Sequence, residues 1–107
     1  MKYAFKTQRN IRIHLSAAIL AVMLSWLLEV SAGDFALVIL AISLVLFAEM
    51  VNTAVEKTVD LFMSTYHPLA KIAKNVAAGA VLITAISAVV IGIIVFAKPL
   101  VEIFSSL

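Results

Sequence analysis

The sequence predicts an all-α integral membrane protein with three transmembrane helices, and two observations support this prediction. Hydrophobic residues make up 64% of the 107 residues and charged residues only 13%, whereas a soluble domain is about half apolar and a quarter charged. The apolar residues also gather in three segments, and a spanning helix needs roughly 20 of them. So short a soluble chain buries too little surface to hide them, and we therefore expect lipid as the solvent.

The three predicted spans lie within one membrane domain over residues 1–107, and they cover residues 13–31, 35–61 and 70–97. Asp34 follows the short first connection, where it is suited to cap the second helix. Pro68 suits the first turn of the third helix, and Pro99 is expected to end that helix. Residues 2–14 are basic and helix-permissive, and form either an interfacial helix or an extension of the first span.

Basic residues predict the orientation of the chain. Four of them precede the first span (Lys2, Lys6, Arg9, Arg12), and three flank the second connection (Lys57, Lys71, Lys74). The positive-inside rule then places the N-terminus and the second connection in the cytoplasm. The net charge of only +2 gives no reason to expect a nucleic-acid partner.

Aromatic residues and histidines near the predicted helix ends are interpreted as interfacial. They are Tyr3, Trp26, Tyr66, His14 and His67. Neither histidine has a second histidine or a cysteine at metal-ligand spacing, and the chain contains no cysteine, which excludes disulfides and thiolate metal sites.

Polar residues on the second helix are the strongest functional signal. Glu49, Asn52, Glu56 and Asp60 fall within roughly 80° of one another on a helix of 100° per residue. We call these four residues the polar stripe. A carboxylate at the depth of Glu49 costs several kcal/mol if it is unpaired. The stripe must therefore face protein, water, a cation or a ligand.

The third helix supplies basic partners for the polar stripe. Lys71 and Lys74 lie one turn apart, with Asn75 beside them, and the helical hairpin places Lys74 at a depth similar to residues 56–60. Carboxylates beside a lysine suit a magnesium–phosphate site. The alternative is an intramembrane ion-pair network that only fixes helix packing, although intramembrane ionisable residues usually have a function.

Small residues repeat every four positions on the first and third helices, which permits close helix approach. They are Ala17, Ala21 and Ser25 on the first helix and Ala80, Thr84, Ala88 and Gly92 on the third. Because three helices enclose a polar stripe poorly, we expect the chain to form an oligomer that closes the site between subunits.

Two segments resemble the signature of the prokaryotic diacylglycerol kinase family. They are Ala-Glu-Met-Val-Asn-Thr-Ala-Val-Glu-Lys-Thr-Val-Asp at 48–60 and His-Pro-Leu-Ala-Lys-Ile-Ala-Lys-Asn-Val-Ala-Ala-Gly at 67–79. The amino-acid sequence of these two segments is most similar to the Gram-positive branch, whose members phosphorylate undecaprenol. The resemblance implies a homotrimer in the bacterial cytoplasmic membrane, with Mg²⁺, ATP and a lipid alcohol meeting at sites shared between subunits.

The resemblance also implies a role for each polar residue. Glu49 matches the base for the lipid hydroxyl, and Asn52 matches a residue supporting the catalytic centre. Glu56 matches a metal ligand. The nucleotide-binding residues implied are Asp60, Lys74 and the neighbouring Lys71, and Asn75 is expected near the lipid substrate together with Glu49.

Two positions depart from the family pattern. Gln8 stands where a second metal-binding glutamate is usual, and Asn75 stands where an aspartate is usual. An amide is a weaker ligand than a carboxylate for a hard cation. Family members also usually have a longer N-terminal interfacial helix ahead of Gln8.

Three functions are compatible with these features, and the leading one is a lipid kinase. The second is a non-catalytic binding homologue, motivated by Gln8 and Asn75. The third is a small proton-coupled multidrug transporter, a class of similar length with a membrane glutamate. A transporter needs a carboxylate near mid-membrane, whereas these carboxylates lie toward one end of their helix.

Overall fold

The computed structural model describes residues 9–62 and 67–107, which form three α-helices. In chain order these are α1 (Arg9–Leu27), α2 (Ala32–Phe62) and α3 (Pro68–Ser105). Within these residues, α2 and α3 are long and apolar enough to cross a membrane, while α1 contributes a shorter apolar segment, Ile11–Leu27. The predicted all-helical fold with long apolar helices is confirmed.

The connection between α1 and α2 differs from the prediction in two respects. α1 ends at Leu27 rather than at residue 31, because the chain turns at Glu29, whose φ of 51° lies in the left-handed region. The cap of α2 is Ser31 rather than Asp34, since the Asp34 backbone N–H donates to the Ser31 hydroxyl (3.1 Å). Asp34 instead lies in the first turn, where its charge suits the helix dipole.

The start of α3 agrees with the prediction, but its end does not. The Leu69 backbone N–H donates to His67 Nδ1 (3.1 Å), which caps the helix, and Pro68 occupies its first turn. The prediction that Pro99 ends α3 is wrong, because the helix continues to Ser105. A proline has a helical φ and removes only one backbone donor, and such a loss is tolerated in apolar helices.

The core lies along one face of α2, which packs against both other helices. The buried apolar residues of this face are small or β-branched: Val38, Ala41, Val45 and Ala48. Ile11 of α1 and Ala77 and Val95 of α3 complete the core. Most other large apolar side chains are exposed, including Trp26 at 78%. Such extensive exposed apolar surface requires lipid or further subunits to cover it.

An apolar cleft of about 250 Å³ lies between the three helices. The small residues predicted to allow close packing line it from both sides, with Ala17 and Ala21 on α1 and Ala88 and Gly92 on α3. His14 also lines this cleft, whose other lining residues are apolar.

Candidate functional site

The polar stripe runs along the second half of α2, and its exposure rises steadily along the helix. Glu49 is buried, with 2% of its surface exposed, Asn52 and Glu56 are half-buried, and Asp60 is exposed. Because α2 is continuous through Phe62, the four residues share one helical face as predicted. The stripe therefore joins the packed interior to the open end of the α2–α3 hairpin.

Glu49 lies where α2 contacts α1, and His14 approaches its carboxylate from that helix. The distance from His14 Nε2 to Glu49 Oε1 is 3.1 Å, which is within ion-pair range. Oε1 nevertheless accepts no hydrogen bond from the described residues. The Thr53 hydroxyl donates to the Glu49 backbone carbonyl (3.0 Å) and not to the carboxylate. Glu49 is thus a buried acid whose interactions are incomplete.

His14 is a neighbour of the candidate site that sequence reasoning missed. The sequence predicts it only at the membrane interface, yet it stands beside the deepest carboxylate. A signal was present: in an antiparallel pair of helices, His14 and Glu49 each lie roughly four to five turns from the α1–α2 connection. Similar depth alone could not predict which face of α1 turns toward α2.

Asn52 and Glu56 form the middle of the site. Asn52 Nδ2 donates to Glu56 Oε1 (2.9 Å). This hydrogen bond uses the nitrogen of the amide and leaves its oxygen available to another partner. That oxygen, Asn52 Oδ1, is buried and has no hydrogen-bond partner among the described residues. A carboxylate and a buried carbonyl-type oxygen side by side are the donors that a hard divalent cation prefers.

Asp60 and Lys74 form the open end of the site. Lys74 Nζ donates to Asp60 Oδ1 across the α2–α3 hairpin (2.7 Å). The side chains of Lys74 and Asp60 remain 41% and 57% exposed, respectively. The prediction that Lys74 lies at the depth of residues 56–60 is confirmed by this contact. An exposed ammonium group so held is able to bind an anionic ligand.

The remaining predicted site residues lie around this end or outside the described part of the chain. Lys71 and Asn75 are exposed on α3, on either side of Lys74 in sequence. Gln8 lies outside the described residues, as do Tyr3, Tyr66, Lys2 and Lys6. The structure therefore brings Glu49, Asn52, Glu56, Asp60 and Lys74 onto one side of the α2–α3 hairpin.

The residues fit a divalent cation only if a ligand or another chain supplies further oxygens. Among residues 9–62 and 67–107, no group of three or more histidines, cysteines or acids is placed to hold a metal ion. Glu56 and the unpaired Asn52 oxygen nevertheless provide oxygen ligands. Mg²⁺ commonly binds through one or two protein carboxylates and takes its other ligands from substrate phosphates. The site is thus suited to a metal that arrives with a nucleotide.

Comparison with known proteins gives a consistent result. The sequence model of the family described as prokaryotic diacylglycerol kinase matches residues 1–96. A protein named diacylglycerol kinase from Synechocystis sp. is 46% identical over 94% of this chain and 58% of its own length. A protein named undecaprenol kinase from Bacillus subtilis is 40% identical over 85% of this chain and 74% of its own length.

The relatives differ in how much of their length the chain covers. The diacylglycerol kinase of Escherichia coli K12 is 40% identical over 69% of this chain, which spans 61% of that relative. The family match nevertheless includes the whole polar stripe and the basic start of α3, since residues 1–96 are covered. On the extent of this match, the chain belongs to the prokaryotic diacylglycerol kinase family.

Proposed function

We propose that this chain is an integral-membrane lipid kinase that transfers the γ-phosphoryl group of ATP to the hydroxyl of undecaprenol, with diacylglycerol as the second candidate substrate. The observation that supports this most directly is the graded polar stripe. Its buried end holds a carboxylate, Glu49, and its exposed end holds an ammonium group, Lys74. The two substrates differ in the same way, because the lipid hydroxyl comes from the membrane and the nucleotide comes from water. The lipid would therefore meet the buried end of the stripe and the nucleotide its exposed end.

Glu49 is the proposed base. Its carboxylate takes the proton of the lipid hydroxyl while that oxygen bonds to the γ-phosphorus of ATP. The bond from the γ-phosphorus to the bridging oxygen breaks, and ADP leaves with the electron pair. Phosphoryl transfer of this kind depends mainly on positioning and charge stabilisation, which accounts for the small number of groups in the site.

The middle and open end of the stripe are the proposed nucleotide site. Glu56, with Asn52 beside it, is the proposed ligand of Mg²⁺, which neutralises negative charge on the phosphates when bound. Lys74 is proposed to contact the phosphates, with Lys71 nearby, and Asp60 to contact the nucleotide. Gln8 and Asn75 are assigned to the metal and lipid sides of the same site by family resemblance.

The proposed assembly is a homotrimer of three-span subunits in the bacterial cytoplasmic membrane, with the N-terminus in the cytoplasm. Two features support association. Each helix leaves large apolar residues exposed, and within the described part of the chain Glu56 with Asn52 provides only part of a metal-binding set. A neighbouring subunit is the proposed source of the missing groups, and α1 is the proposed third span.

Two observations support undecaprenol as the substrate. The signature segments resemble those of the Gram-positive branch, and one relative is named undecaprenol kinase. The relatives from Synechocystis sp. and Escherichia coli are named diacylglycerol kinase, so diacylglycerol is the necessary competitor. The experiment is to phosphorylate each lipid in mixed micelles with γ-labelled ATP, with and without Mg²⁺. We expect magnesium-dependent labelling of both, with the higher kcat/KM for undecaprenol.

Each alternative function has its own outcome in this experiment. Binding of Mg-ATP without turnover of either lipid would identify a non-catalytic homologue. Drug-dependent proton flux in vesicles, without lipid labelling, would identify a transporter, although membership of a kinase family disfavours that function. A higher kcat/KM for diacylglycerol would reject the substrate choice and leave the kinase proposal intact.

A further inference from the structure

We infer that His14 is a positioning residue for Glu49, in addition to the site residues proposed for the reaction. This inference rests on the proposed role of Glu49 as the base. The ring nitrogen Nε2 of His14, on α1, lies 3.1 Å from Glu49 Oε1, on α2. The neighbouring Thr53 hydroxyl is directed at the Glu49 backbone carbonyl and leaves the carboxylate to other partners.

Burial explains why Glu49 needs such a partner. Only 2% of the residue is exposed, and a carboxylate removed from water and left unpaired is unfavourable by about 3 kcal/mol or more. Oε1 accepts no hydrogen bond from the described residues, so the approach of His14 is the polar contact that the structure gives it. A small rotation of the imidazole during the reaction would let Nε2–H donate to Oε1, which is a strong interaction because the acceptor is a carboxylate.

The consequence for the reaction is that one carboxylate oxygen is held and the other is free. With Oε1 facing the imidazole at 3.1 Å, Oε2 is the oxygen that takes the proton of the lipid hydroxyl. His14 keeps its own proton throughout, and no bond to the imidazole is made or broken. Its effect is to hold the carboxylate in one orientation, just as a third group orients the base in many enzymes.

The surroundings of His14 support a role toward a lipid. Its side chain is 24% exposed, and it lines the apolar cleft together with Ala17, Ala18 and Ala21 of α1. The imidazole therefore lies at the border between an apolar space and the buried carboxylate.

The test compares His14→Ala and His14→Gln with His67→Asn in the full chain, reconstituted with undecaprenol or diacylglycerol. Loss of a hydrogen bond to a charged group predicts a fall in kcat of about 10- to 100-fold for His14→Ala. KM for Mg-ATP is expected to stay unchanged, because His14 contacts the buried end of the polar stripe at Glu49 and Lys74 contacts the open end at Asp60. His67→Asn is the matched control, since asparagine also caps a helix and the position lies outside the proposed site.

Two further measurements separate positioning from a structural role. His14→Gln retains an N–H donor and should lose less activity than His14→Ala. Added imidazole should restore part of the kcat of His14→Ala and leave His14→Gln unaffected. Oligomeric state and the thermal unfolding midpoint of each variant are measured alongside. We expect the wild-type oligomeric state in every variant and a lower midpoint in His14→Ala only, because the buried carboxylate loses its partner there.

Unchanged kcat in His14→Ala, in a preparation where Glu49→Gln is inactive, would overturn this inference while leaving the proposed function in place. A fall in kcat that imidazole does not restore and that accompanies a lower unfolding midpoint would assign His14 a structural role and would also overturn it. A wild-type chain without kinase activity on either lipid would overturn the proposed function and this inference together.

Discussion

Lys74 Nζ on α3 lies 2.7 Å from Asp60 Oδ1 on α2, and this ion pair joins the two helices at the open end of the polar stripe. Both side chains are substantially exposed, and exposed ion pairs contribute little to stability because water screens them. The pair is consistent with the proposed nucleotide site, in which the carboxylate would hold a flexible lysine in place for an incoming phosphate.

Replacing Lys74 is expected to weaken nucleotide binding. A hydrogen bond to a charged group contributes about 1.5–3 kcal/mol, so Lys74→Met should raise KM for Mg-ATP by about 10- to 100-fold. Lys98→Met is the matched control, because it removes a lysine near the far end of α3. Steady-state kinetics at saturating lipid provides the measurement, and equal KM values in the two variants would argue against a phosphate contact.

Replacing Glu49 should affect the chemical step instead. Glu49→Gln keeps the shape of the side chain but cannot accept the hydroxyl proton, so kcat should fall by about 10²- to 10⁴-fold. Binding of Mg-ATP, measured by calorimetry, should remain as in the wild-type chain because Glu49 lies at the buried end of the stripe. Glu102→Gln removes an exposed acid near the C-terminus and serves as the control. Full turnover by Glu49→Gln would eliminate this residue as the base.

Much of this arrangement could be predicted because the helical repeat is regular. The spacing along α2 predicts that the polar stripe lies on one side of that helix. The short connection to α3 predicts that Lys74 lies close to the end of the stripe. The structure confirms both predictions through the Asn52–Glu56 and Lys74–Asp60 contacts. The depth of Glu49 in the membrane is predicted from its place directly after the apolar run of residues 35–48, but the sequence leaves open what its side chain faces.

The helix ends and the His14 contact could not be predicted in the same way. Ser31 and Asp34 are both good capping residues three positions apart, and only backbone geometry decides between them. Pro99 predicted a helix end because it removes a donor, yet one missing hydrogen bond did not stop a helix of such apolar residues. His14 meets Glu49 through the rotation of α1 about its own axis, which apolar periodicity on an all-round apolar helix does not specify.

The magnesium requirement provides a test of Glu56. Glu56→Gln replaces a charged ligand with an amide, which binds a hard cation more weakly. We expect this variant to need a higher Mg²⁺ concentration for half-maximal activity and to recover part of its activity when Mg²⁺ is raised. Asp34→Asn, a charge loss at the opposite end of α2, is the control. Titration of activity against free Mg²⁺ at fixed ATP is the measurement, and coincident curves for Glu56→Gln and wild type would exclude Glu56 as a metal ligand.

Restoring two carboxylates is expected to increase turnover. The resemblance described above implies acids at the positions of Gln8 and Asn75, and Asn75 is exposed on α3 directly after Lys74. A carboxylate binds a divalent cation through a charged oxygen, which an amide lacks. Gln8→Glu together with Asn75→Asp should therefore raise kcat and lower the Mg²⁺ concentration that is required.

The two single variants separate the contributions of these positions. If Gln8 lies on the metal side and Asn75 on the lipid side, Gln8→Glu should mainly shift the Mg²⁺ dependence. Asn75→Asp should mainly change kcat with lipid, at a Mg²⁺ dependence close to that of the wild-type chain. Asn10→Asp, which adds an acid close to Gln8 in sequence, is the control that tests whether any new charge suffices. Unchanged turnover in the double variant, with an intact oligomer, would show that the amides do not limit activity.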